Sequence, residues 1–500
     1  MKLTVVAVMA MAAANVNALF RLRCEDSVAL MRSDPIVAPG TIAAHLHTFH
    51  GPNTVSSKAD YNALQQGDCS SCALKTDNSA YWTPTLYYKK DGKLEPVGQK
   101  GGMLAYYFFR NDTRLSTSQG WGHENIDAFP KDFKMLAGDP FRRSEPGPDA
   151  TEQEKLLYKA IGFNCLGKPQ YEDTTAYHKW RKDDWHTCPD GIRAELWFPS
   201  CWDGRLDSPN HRDHVAYPDE IKVGKCPKSH PRRLPTLLFE TVWSTDKFRN
   251  QQGGEFVWSH GDPTGLGYHG DFQNGWVEGV LEKAMQEPSC YNDAFNGDRG
   301  GQLEDCKAFS PADIRTKQEQ LDCKAESEWN EDVGATAGFG QGFRAASAKV
   351  TSLDALPGCN EITYGPERAV PGPTCDVDGK PIDGSAKPKP SGGALLDDGT
   401  RNKGVKLETP VVEVPKEGPK EVVEEKEEPS IVEDKPAVIA PVEEESTTTA
   451  TTSTSSNKYL VIVTTTQTRT VTEGEPIPTE WLEQRRRRHV HGKHRRHHNH

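Results

Sequence analysis

After the first 18 residues, no stretch of this chain approaches the roughly 18 consecutive apolar residues that a membrane-crossing helix needs. It has no nucleophile elbow, no phosphate-cradling glycine loop, no convincing dinucleotide fingerprint and no H-E-x-x-H pair. Those absences remove the commonest signatures of serine hydrolases, nucleotide-dependent enzymes and zinc peptidases. The last hundred residues contain no cysteine and one tryptophan, Trp481. Acid is missing from residues 485–500, although the whole chain carries a formal charge of −12. An excess of acid disfavours nucleic acid as a partner, because phosphate binding needs a basic face.

What is present points outside the cell. Lys2, the apolar run Leu3 to Ala14 and the small residues at Val16-Asn17-Ala18 give a secretory signal over residues 1–18. All twelve cysteines lie between Cys24 and Cys375, an even number that an oxidising compartment would pair. Cys69-Ser-Ser-Cys72 has redox or zinc spacing, but in a secreted chain disulfides are the expected use. Asn111-Asp112-Thr113 is a glycosylation sequon.

Composition divides the chain into a globular domain over 19–376 and a tail. The tail comprises an acidic, Pro-rich linker (377–446), a Thr/Ser-rich segment (447–484) and a basic, His-rich end (485–500). Between Val405 and Glu445, thirteen acids stand against five lysines, which is the composition of a disordered spacer. Within the domain, apolar and polar residues alternate over Ile192–Phe198, and Leu234–Trp243 and Glu255–Ser259 are further strand candidates. The aromatic runs at Tyr81–Tyr88 and Met103–Phe109 flank an Asp91-Gly92 turn, a hairpin pattern. Residues 152–162 and 277–286 read as short helices. The fold expected is mainly β, a β-sandwich-like body with long disulfide-clamped loops and few short helices, followed by a disordered tail.

Three segments carry candidate chemistry. His45 and His47 share one face of an extended strand, where two imidazoles can hold a metal or a hydroxyl, or serve as buried structural histidines. Asp207, His211 and His214 fall in the loop Ser200–Pro218, and His269 and Asp271 in a second loop, 260–276. Imidazoles with carboxylates make metal sets or acid/base pairs. His45, His47, His211 and His214 are the candidate ligands of a divalent metal ion. Paired carboxylates among Asp203, Asp207, Asp262 and Asp271 would suit glycoside hydrolysis. Trp82, Trp202, Tyr217, Tyr268, Phe272, Asn274 and Trp276 flank these segments and are the candidate substrate contacts; core aromatics are the alternative use.

Ala44-His45-Leu46-His47, Cys69-x-x-Cys72, Tyr81-Trp82-Thr83-Pro84, Phe198-Pro199-Ser200-Cys201-Trp202-Asp203-Gly204, Asp207-x3-His211-x2-His214-x2-Tyr217-Pro218 and His269-Gly-Asp271-Phe272-x-Asn274-Gly275-Trp276 occur in this order. Together they resemble the fungal secreted "domain of unknown function nineteen-ninety-six", with a core at about 33–290. Ala44 stands where that family commonly has Ser, and no WSC cysteine pattern follows. The resemblance implies an extracellular or cell-wall location and WSC carbohydrate-binding companions, with no established activity. Two uses of the loops follow. One is a glycan-active, hydrolase- or lyase-like enzyme acting on cell-wall polysaccharide. The other is a non-catalytic structural cell-wall or metal-binding secreted protein.

Overall fold

The computed structural model describes residues 19–110, 125–168, 184–251, 253–290, 301–336, 350–372 and 374–382, and the backbone of 446–452 and 462–468. The signal segment, the Asn111 sequon, nearly all of the acidic linker and the His-rich end lie outside the described residues. The chain divides into two units, Met1–Lys403 and Gly404–His500.

Sheet A of the first unit is built from β1 (Leu19–Cys24), β7 (Gln99–Phe108), β14 (Thr236–Trp243), β10 (Ile192–Trp197) and β9 (Ile161–Cys165), in that spatial order. Sheet B has the order β2 (Ala29–Met31), β3 (His47–His50), β4 (Ala80–Pro84), β16 (His269–Gln273) and β8 (Lys134–Gly138). Two smaller sheets combine β15 (Glu255–Trp258), β5 (Leu86–Lys90) and β6 (Lys93–Pro96), and β12 (Val215–Ala216), β11 (Cys201–Trp202) and β13 (Arg232–Arg233). Every strand pairing in these four sheets is antiparallel.

Alternation explains why sheets A and B pack face to face. In β14, Leu237, Phe239 and Trp243 turn inward; in β10, Ile192, Ala194 and Leu196 do the same. From sheet B, Tyr81, Met135, Ala137 and Phe272 join the same core. Tyr81 meets Phe239 edge-on at 5.6 Å between centroids. The outer face of sheet A is covered by helix α2 (Glu152–Lys159), whose Leu156 and Leu157 pack on Tyr106, Phe108 and Trp197. A capping box between Thr151 and Glu154 starts that helix. The outer face of sheet B carries Phe49, Trp82 and Leu136 under helix α1 (Tyr61–Leu64) and the Cys323 segment.

The expected sandwich-like, mainly β architecture is therefore present, and the structure revises three local expectations. The Asp91-Gly92 turn does close a hairpin, with both residues at positive φ, but it joins β5 to β6. The Met103–Phe109 run, up to Phe108, belongs to β7, which crosses to sheet A and lies between β1 and β14. The second loop contains a buried strand, β16, inserted between β4 and β8. Its pairing on both edges overrides the glycine-rich, turn-like composition around it.

All twelve cysteines pair, in six disulfides. Cys69 joins Cys323 and Cys72 joins Cys24, so the C-x-x-C spacing ties one short loop segment to two distant segments. Each bridge contributes about 2–4 kcal/mol by restricting the unfolded chain, and the 254-residue Cys69–Cys323 loop stands at the upper end. In the second unit, β17 (Ser446–Thr452) pairs antiparallel with β18 (Ile462–Thr468).

Candidate metal centre

Strand register assembles the site. His47 pairs with Pro84, and the register that sets Asp271 opposite Trp82 brings His269 level with Pro84 two strands from His47. Pro84 has no side chain long enough to separate them, so both imidazoles lean over it on the outer face of sheet B. His45 lies in the bend that precedes β3, not on the strand as its spacing suggests, and its ring nonetheless joins the cluster from the same side. Ring centroids are 4.3 Å apart for His45–His47, 5.0 Å for His45–His269 and 6.3 Å for His47–His269. One nitrogen from each lies within 4.8 Å of the other two, and this is the one such grouping among the described residues.

Gly138 makes room for this arrangement. It pairs with His269 across β8–β16 at φ +79, and a Cβ there would lie 2.3 Å from the Tyr268 carbonyl oxygen and 2.7 Å from His269 Cα. Only glycine fits such a position.

Hydrogen bonds set the tautomers. His47 Nδ1 donates to the Ser33 carbonyl at 3.0 Å, and His269 Nδ1 donates to the Gly267 carbonyl at 2.9 Å. Each ring thus presents an Nε2 lone pair to the cluster. His47 Nε2 is buried and has no partner among the described residues. His269 Nε2 lies 3.0 Å from His45 Nε2. Backbone carbonyls behind the outer nitrogen are the support that orients metal-ligating histidines. Burial holds all three imidazoles neutral: His47 is lowered, His45 is lowered well below the usual range, and His269 is lowered to about 3. Neutral imidazole is the form that binds a metal.

Two carboxyls stand behind the histidines. Asp271, buried on the same strand face as His269, leaves Oδ2 without a partner among the described residues. Burial, reinforced by the charge of Asp34, pushes its carboxyl well above the usual range, and Arg212 opposes the shift. Asp34 Oδ1 accepts from the backbone N–H of Ile36 and Val37, both at 2.9 Å. The arrangement can hold a divalent transition metal on three nitrogens and keep a proton on a neighbouring carboxyl.

The Asp207–His211–His214 loop is not drawn into this cluster. His214 lies between the Ser208 hydroxyl at 3.1 Å and the Lys134 carbonyl at 2.8 Å. His211 Nδ1 bonds Asp207 at 2.8 Å, and Lys134 Nζ is 3.2 Å from the same carboxylate. The set His45, His47, His211 and His214 therefore does not form one unit; His269 occupies the place next to His45. The loop reaches the site through Arg212, whose guanidinium donates to the Gly138 carbonyl.

The flanking aromatics are in the interior. Trp82 stacks on Phe49 at 5.2 Å; Tyr268 packs on Trp258 at 4.5 Å; Phe272 lies 4.9 Å from Phe129. Trp276 Nε1 donates to Tyr107 Oη at 3.0 Å, and Tyr217 Oη donates to the Trp197 carbonyl at 2.8 Å. Asn274 Nδ2 bonds the Phe129 and Pro130 carbonyls at 3.1 and 2.9 Å. Trp202 is buried beneath the Arg232 guanidinium, 4.2 Å from its ring. None of these rings offers an open face, because each fills the space between strands and loops.

His260 and Asp34 also belong to this neighbourhood, and neither was singled out by residue spacing. His260 begins the same loop that leads to His269, a position that two histidines flanking one glycine-rich stretch could have signalled. Asp34 opens a proline-containing turn, with no histidine nearby in sequence. Comparison with curated proteins and with solved structures finds no match. Residues 34–276 match the family described as Domain of unknown function (DUF1996), so the region that contains Asp34, all three clustered histidines and Asp271 is a domain of that family.

Proposed function

We propose that this chain is an extracellular, metal-dependent protein whose His45–His47–His269 centre acts on cell-wall glycan as a hydrolase- or lyase-like enzyme. The observation that carries the proposal is the convergence of three neutral imidazoles, two of them with their outer nitrogens fixed by backbone carbonyls. A divalent ion held there would supply Lewis acidity and a water of lowered pKa. Asp271 would hold the proton that a leaving sugar oxygen requires, a role for which its raised affinity for protons suits it. Six disulfides support an oxidising compartment. The resemblance of the core to a fungal wall-associated family supports glycan as the substrate class. Because the aromatics are buried, polar groups at the mouth of the site, where His45 remains partly exposed, would carry recognition.

Metal analysis of the purified full chain should give about one divalent ion per molecule, lost in His269→Ala. Incubation with chitin, β-glucan, mannan and galactosaminogalactan, followed by mass spectrometry, should release products that Asp271→Asn abolishes. Metal uptake without product from any of these polymers would leave the second use, a non-catalytic wall or metal-binding protein. The burial of the flanking aromatics, which removes a stacking platform for sugar rings, is the observation that favours that second use.

A further inference from the structure

Three imidazoles leave one position of a four-coordinate metal to something else. His260 stands beside the cluster without belonging to it. Its ring centroid lies 4.7 Å from His269 and 5.5 Å from His45. The mutual grouping of ligand nitrogens takes in His45, His47 and His269 and stops short of His260. The residue is 8% exposed, and neither Nδ1 nor Nε2 has a hydrogen-bond partner among the described residues. Asp262 Oδ2 lies 3.9 Å from its Nε2, too far for a hydrogen bond, and the Arg143 guanidinium is a further charged neighbour. Asp262 is already engaged: Oδ1 accepts from Thr264 N–H at 2.8 Å and its hydroxyl at 2.6 Å, and Oδ2 accepts from Gly267 N–H at 2.7 Å.

A buried imidazole with two idle nitrogens is a penalty that an apolar side chain of similar size would avoid. The backbone nonetheless closes around this ring. A Cβ on Gly267 would lie 2.8 Å from His260 Nε2, and the Arg143 guanidinium donates to the His260 carbonyl at 3.4 Å. The ring is therefore held in place while its polar atoms are left for a partner supplied from outside the chain.

We infer that His260 is the hydrogen-bond partner of the ligand that fills the position left open by His45, His47 and His269, and so selects small oxygen- or nitrogen-donor ligands there. This rests on the metal reading above. His260 is a positioning residue that acts on the ligand and leaves metal retention to the other three.

Cobalt(II) loading of the full chain, read by visible absorption and followed by azide titration, tests both layers separately. Wild type should take up one cobalt and bind azide with a clear spectral change. His260→Ala should keep the cobalt and its azide-free spectrum but bind azide tenfold or more weakly, the size expected for losing a hydrogen bond to a charged ligand. His260→Asn should recover part of that loss, and it serves as the working variant if the alanine protein does not fold. Equal azide affinity in wild type and both variants overturns the inference while leaving the metal centre intact. Loss of cobalt in both variants overturns it too, by making His260 a ligand. Cobalt uptake without azide binding in wild type means the fourth position is closed and has the same result. No cobalt uptake by wild type removes the metal reading and this inference with it.

Discussion

The 207–214 loop and the outer face of sheet B both set histidines beside an aspartate, yet their polar atoms are used differently. In the loop, His214 is bonded at both ring nitrogens, and Asp207 serves His211, Lys134 and the Ser208 backbone. On and beside the sheet, His47 Nε2, both nitrogens of His260 and Asp271 Oδ2 are buried without partners among the described residues. Leaving such atoms unpaired costs about 1–3 kcal/mol each, so a fold retains them where a ligand or a proton compensates. Composition and spacing are alike in the two regions. What separates them is whether the neighbouring backbone supplies the missing partners.

Exchanging the roles of the two regions should give the largest effects. His269→Ala should weaken divalent metal binding by about 100-fold or more, since loss of a hydrogen bond that merely supports a ligand already costs about 10–100-fold. His214→Ala should leave metal affinity within about twofold and instead lower unfolding free energy by about 2–3 kcal/mol, through the cavity and the unpaired Lys134 carbonyl. Metal titration with chemical denaturation of both variants reads the contrast, and metal loss in His214→Ala would erase it.

Acid titration of the metal-free protein comes next. Burial lowers His269 to about 3 and His50, a separate buried histidine, to about 4. The unfolded chain binds these protons near pH 6.5, whereas the folded chain stays neutral. Stability is therefore full above about pH 6.5 and falls as pH drops towards 3–4, by at most about 1.4 kcal/mol per pH unit for each histidine. Denaturant midpoints across pH 3–8 should show this slope, and His269→Ala should reduce it.

Asp271→Asn should act in the opposite direction. A carboxyl whose folded pKa is raised contributes fully below its unfolded value, about 3.9, and that contribution is lost as pH rises towards the folded value. The asparagine variant should therefore lose less stability than wild type between pH 5 and 8. An identical pH profile would show that Asp271 is ionised in the folded protein. The smallest effect should come from His211→Ala, which breaks a partly exposed pair with Asp207 and should cost about 1 kcal/mol or less in thermal unfolding.

Much of the architecture was legible because it depends on local alternation. Ile192–Phe198, Leu234–Trp243 and Glu255–Ser259 contain β10, β14 and β15. Strand β16 was hidden because His269-Gly270-Asp271 reads as a turn, and only pairing on both edges makes it a strand. At the site, the His45/His47 spacing announced a shared face, and His269 was legible as chemistry but not as their neighbour. The aromatics were legible as a group; their burial was not, since a tryptophan beside a polar loop can fill a core or line a surface.

By itself the sequence determined the even set of cysteines within a globular region, the alternating strands, the acidic tail composition and the pool of histidines and aspartates from which a site could be drawn. Each is set by residue type and short-range spacing. Tertiary structure alone decided that Cys69 reaches Cys323, that His269 comes level with Pro84 two strands from His47, and that His214 meets the Lys134 carbonyl. Those outcomes depend on strand order and register between segments up to 254 residues apart. Register is fixed by which faces can be buried together across the whole sandwich, a condition that no single stretch of the chain contains.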